Sequence, residues 1–134
     1  MARGIPAVIR STRGQAVIEF ALVLPILLLV CFGITEFGRA WMTMNILTSA
    51  AREGVRLAAV TAPDIPAVTQ RVTDVCSAAR VVPSVITVVP PDPADLNRRV
   101  SVTVETEFEV FSVRVLSFRG TIPLRTTSIM RHES

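Results

Sequence analysis

The sequence predicts an α+β chain that crosses a membrane once, with a long N-terminal helix, one short helix and a small antiparallel sheet. Three observations carry this expectation. Residues 20–35, FALVLPILLLVCFGIT, form a run of sixteen without a charge. Apolar residues recur at helical spacing well beyond that run, and residues 100–110 alternate between apolar and polar. The chain has 134 residues, 50% of them hydrophobic and only 19% charged, with a mean hydropathy of +0.51. That length allows one domain with a modest core and excludes a large multi-domain enzyme. The apolar balance excludes a disordered chain.

The net charge of +3 sits in the first fourteen residues, on Arg3, Arg10 and Arg13, and residues 15–134 balance to zero. A nucleic-acid partner is therefore not expected, because phosphate binding needs a basic face on the folded part. With the four residues before it, Ala16 to Glu19, the uncharged run gives a span of about 20 residues, enough at ~1.5 Å per helical residue to cross a ~30 Å hydrocarbon layer. The arginines before the span, unaccompanied by acids, place the N-terminus in the cytoplasm. Residues 1–14 then form a basic cytoplasmic leader, 15–36 the transmembrane helix and 37–134 an extracytoplasmic domain. No small-x-small cleavage site follows Ile34, which argues against a removed secretory signal.

Glu19 lies about one turn inside the apolar span, where a carboxylate is costly unless it is paired or snorkels to the head groups. The surrounding residues are R-G-Q-A-V-I-E-F. A cut after Gly14 would make Gln15 the new N-terminus and Glu19 the fifth residue. This arrangement resembles the type IV prepilin signature: a short basic leader, Gly before the cut, Glu at the fifth mature position, and an apolar helix interrupted by Pro25. A closer resemblance adds E-F-A-L-V-L-P at residues 19–25, E-F-G-R-A at 36–40 and A-A-R-E-G-V-R at 50–56. Together these are similar to the TadE-like family of tight-adherence (Tad/Flp) pilus assembly proteins. The family-motif residues are Glu36, Gly38, Arg39, Ala51, Arg52 and Gly54.

The resemblance implies a pilin-like helix and processing at Gly14 and Gln15 by a prepilin peptidase, with Glu19 pairing with the new ammonium of its own or a neighbouring chain. It also implies other pilus subunits and the inner-membrane assembly platform as partners, in a homo- or hetero-oligomer. Opposite charges in a low dielectric relieve each other's desolvation, so the pairing is physically reasonable.

One helix over residues 15–60 follows from Leu27, Val30, Ile34, Phe37, Trp41, Met44, Thr48, Ala51, Val55 and Ala58, in steps of three and four. Pro25 should kink or loosen its first turns, and Gly33 and Gly38 should weaken it further. The half of the stripe from Met44 to Ala58 is expected to pack on the chain's own domain. Phe20, Leu27, Val30, Ile34, Phe37 and Trp41 are expected to meet other subunits in the bilayer. Ala50, Gly54 and Ala58 recur every four residues and would admit a close backbone.

Pro63 and Pro66 end this helix, and Val68, Val72, Val75 and Ala79 mark an amphipathic helix over 66–80. Residues 85–89 read as a short strand, followed by a stiff Pro-rich loop. Residues 100–110 read as a half-buried antiparallel strand, with a bulge or bend at Val110 and Phe111 and a loop over 112–120. A last strand over 121–131 carries Pro123, as an edge strand can.

No catalytic residues, metal ligands or cofactor are predicted. Glu105, Glu107 and Glu109 share one strand face and read as solvated surface that discourages edge pairing. The lone His132 is too near the end for a rigid catalytic site. Cys76 reads as a free packed thiol, or alternatively as the site of an intermolecular bridge. The functional expectation is a non-enzymatic TadE-like minor pilin or pseudopilin of the cytoplasmic membrane, serving assembly, initiation or adhesion of a tight-adherence pilus. The alternative is an uncleaved, membrane-anchored periplasmic binding or sensing module that assists envelope assembly.

Overall fold

A computed structural model describes residues 12–60, 64–92, 94, 97–111 and 120–132, with side chains from Gly14 onward. Arg3, Arg10, Pro63, part of the Pro-rich loop and nearly all of the 112–120 loop lie outside the described residues. The chain divides into two compact units, residues 1–35 and 36–134. It is α+β: helices α1 (Thr12–Val60) and α2 (Ile65–Ala78) are followed by strands β1 (Val85–Val89), β2 (Arg99–Glu109) and β3 (Thr121–Arg131).

Helix α1 runs unbroken through Pro25, Gly33 and Gly38. One lost backbone bond at Pro25 is absorbed by the remaining ladder of a 49-residue helix. In the first unit, every described residue from Gly14 to Thr35 is exposed except the half-buried Leu24. This stretch is apolar and long enough to cross a bilayer, and it is compatible with a single-pass anchor. Its Thr35 hydroxyl donates to the Cys31 carbonyl at 2.9 Å, a satisfaction that a hydroxyl in hydrocarbon requires.

In the second unit, the outer half of α1 supplies Leu47, Ala50, Ala51, Val55 and Ala58 to one core with Val68, Val72 and Cys76 of α2 and Val100, Val102 and Val104 of β2. Burial of each large aliphatic side chain contributes roughly 1.5–3 kcal/mol. The stripe from Met44 onward thus packs within its own domain, as expected, though Met44 and Thr48 are only half-buried. Leu47, absent from the predicted stripe, is fully buried. A helix packed against both another helix and a sheet buries a wider face than a seam of threes and fours.

Helix α2 begins one residue earlier than predicted and ends two earlier. Asp64 caps its N-terminus through the Ala67 amide, and Pro66 occupies the first turn, where a missing amide costs nothing. Ala79 is exposed and caps the helix instead of joining its buried face. Cys76 completes the face begun by Val68 and Val72.

The sheet has the order β1-β2-β3, antiparallel throughout. Val100, Val102, Val104, Thr106 and Phe108 face the core. Thr103 departs from the alternation and is also buried, because its hydroxyl pairs with that of Thr127 across the outer face at 2.9 Å. No bulge occurs at Val110, whose amide donates to the Gly120 carbonyl at 3.1 Å and carries the β2–β3 register one pair further. At the other end the His132 amide donates to Arg98. Even-numbered residues of β3 therefore bond toward β2, and the missing amide of Pro123 faces the free edge.

Candidate functional site

The candidate assembly surface of the first unit is the apolar helix itself. Phe20, Leu27, Val30 and Ile34 are all well exposed, and an unbroken apolar surface of this extent is stable only under lipid or another protein. Glu19 lies among them with no ion-pair partner among the described residues. Gly14 and Gln15 lie in the first turn of α1, which contains no acid. Glycine is a poor helix former, so Gly14 weakens this turn.

In the second unit, the E-F-G-R stretch forms a clasp. The Glu36 carboxylate accepts from Arg39 Nη1 at 3.2 and 3.3 Å and from the Phe111 amide at 3.0 Å. Its side chain is only 13% exposed. The Arg39 guanidinium also lies 5.2 Å from the centroid of the Phe108 ring, a cation–π contact. One turn of helix is thereby tied to the end of β2. The sequence marked Glu36 and Arg39 as motif residues without revealing this partner, which is 75 residues away. Gly38 has no atom near its missing Cβ. On the helix surface, Phe37 and Trp41 stack with centroids 6.3 Å apart and remain exposed.

The A-A-R-E-G-V-R stretch forms a second clasp. Ala50, Ala51 and Val55 are buried, while Arg52 is exposed. A Cβ at Gly54 would stand 2.5 Å from Val72 Cγ2 and 3.3 Å from Val102 Cγ1, so the close backbone admitted by the small-residue stripe is α2. Beside it, Glu53 accepts from Arg56 at 3.1 Å and from Arg71 of α2 at 2.9 Å. These two guanidiniums hold the Glu53 carboxyl down at about 2. Sequence spacing shows the Glu53–Arg56 pair on one helix but not the bridge to Arg71.

On the sheet, Glu105 pairs with Arg125 across the strands at 3.2 Å, in keeping with a solvated face. Cys76 is free and buried, and desolvation raises its pKa. Cys31 is free and exposed.

Residues 14–56 match the family described as TadE-like protein, the region that carries the resemblance in the sequence. No curated protein and no solved structure matches the chain.

Proposed function

We propose that the chain is a minor, pilin-like subunit of a tight-adherence pilus system with a structural, non-catalytic role in assembly, initiation or adhesion. The observation that carries this reading is an exposed apolar helix, inside the family match, that holds Glu19 without a partner. In this reading residues 15–36 span the cytoplasmic membrane, the leader 1–14 stays inside and residues 37–134 stand outside. A prepilin peptidase cuts between Gly14 and Gln15, and the new ammonium pairs with Glu19 of the same or an adjacent subunit. The exposed stripe from Phe20 to Trp41 packs against other pilus subunits and the membrane assembly platform. The two clasps are internal to the second unit and keep the extracytoplasmic domain rigid.

The test is the intact mass and N-terminal sequence of the protein recovered from native membranes with and without the peptidase. A start at Gln15 that depends on the peptidase is expected, followed by loss of pilus assembly in Glu19→Gln. A start at Met1 in both strains would overturn the processed-subunit reading and favour a fixed anchor.

A further inference from the structure

In the second unit, a groove of about 360 Å³ opens between α1, the end of α2 and β2. Its apolar wall includes Met42, Ile46, Val82 and Phe108, and Arg39 and Arg80 also line it. Met42 and Val82 are 65% and 81% exposed, which is costly for apolar side chains in water. Glu107 and Glu109 border the groove as well. Strand alternation turns their side chains to the opposite face, with Glu105, which pairs with Arg125 there. Arg39 is already shared with Glu36, so Arg80, which has no ion-pair partner among the described residues, leaves the groove with a positive charge.

Arg80 also stands in an unusual backbone conformation. The Val81 amide donates to Cys76 and the Arg80 amide to Ser77, the bond pair of a Schellman helix ending. Arg80 therefore occupies the position just past the cap with φ 59°, where glycine is the usual residue because a Cβ is strained there. A strained residue that presents an uncompensated cation to a groove points to a ligand. Arg39 and Met42 follow Thr35, the end of the uncharged run, by only four and seven residues along α1.

We propose that this groove binds the phosphate of an anionic membrane phospholipid. Arg80, with Arg39 behind it, receives the phosphate, and Met42, Ile46, Val82 and Phe108 cover the adjoining glycerol and upper acyl carbons. The proposal rests on the membrane placement of residues 15–36 and not on the pilus assignment.

The test uses the full chain purified in detergent and incubated with phosphatidylglycerol, phosphatidylcholine or inorganic phosphate. Retained lipid is counted by native mass spectrometry and stability is read by thermal melting. Wild type should retain phosphatidylglycerol over phosphatidylcholine. Arg80→Gly should lower that retention about tenfold, as expected for loss of a charge-assisted contact, while raising the melting temperature because glycine relieves the strain. Arg80→Lys should keep most of the retention. Equal retention by Arg80→Gly, or no preference in wild type, would overturn the proposal. So would inorganic phosphate that raises the melting temperature as much as phosphatidylglycerol, since the ligand would then be a free anion. A chain that stays soluble without detergent would overturn the membrane placement, and the proposal with it.

Discussion

Replacing Gly54 with alanine should destabilise the extracytoplasmic domain even though alanine is the better helix former. In a helix interior the exchange alone gains about 0.8–1 kcal/mol. Here the new Cβ would lie 2.5 Å from Val72 Cγ2 and 3.3 Å from Val102 Cγ1. Both valines are fully buried, and a β-branched side chain in a packed helix has essentially one rotamer, so Val72 cannot swing away. Overpacking of this kind costs typically ~1–3 kcal/mol, which leaves a net loss of roughly 1 kcal/mol. For a domain of this size that lowers the melting temperature by about 4–8 °C. Gly38→Ala is the matched control, with nothing within 4 Å of the new Cβ, and it should raise stability by nearly the full ~0.8–1 kcal/mol. Thermal melts of both variants in the full chain decide the matter. If Gly54→Ala melts at or above wild type, α2 does not approach α1 as closely as described.

Glu36→Ala removes the acceptor of the Phe111 amide and frees Arg39 from its clasp, and should cost roughly 1–2 kcal/mol. Faster hydrogen exchange at Phe111 than elsewhere on the sheet would locate the effect, and an unchanged Phe111 rate would refute the clasp. Glu53, held at about 2 when folded against about 4.3 in an unfolded chain, binds its proton less readily in the native state. Its contribution to stability is therefore present above the unfolded value and is lost as pH falls from about 5 toward 2. Acid titration of wild type and Glu53→Gln should show a steeper loss in wild type over that window, reduced by added salt. Parallel curves would refute the bridge to Arg71.

What was legible in the sequence was whatever depends on local period. The strands 85–89 and 121–131 coincide with β1 and β3, and β2 is displaced from its predicted bounds by one residue at each end, because alternation is a property of adjacent residues. The α1 stripe was legible for the same reason. What escaped the sequence depends on partners far along the chain. Leu47 is buried because two elements share one side of α1. Thr103 is buried by Thr127 and not by the core. Glu36 finds the Phe111 amide, and Glu53 finds Arg71, through tertiary approach alone. The left-handed Arg80 lay hidden as well, since an Arg at a helix end carries no sign of its φ. Asp64 before Pro66 could have been read as a helix start, because a capping acid followed by an early proline is a local signal.

The structure separates two apolar faces that look alike in the sequence, and that separation can be tested with the chain's own cysteines. The small-residue stripe of Ala50, Gly54 and Ala58 resembles a surface made for a second helix, yet it is covered by α2 and β2 of the same chain and should be silent in assembly. The apolar face around Leu27 and Ile34 is uncovered. Cys31, four residues after Leu27 and three before Ile34, lies on its flank and is exposed. Cys76 is buried, and its raised pKa keeps it from forming the reactive thiolate. Mild oxidation of native membranes should therefore give disulfide-linked dimers through Cys31 where two copies meet along this face, abolished by Cys31→Ala and untouched by Cys76→Ala. Dimers that survive Cys31→Ala and vanish in Cys76→Ala would show that the domain core opens and that its stripe is an assembly surface after all.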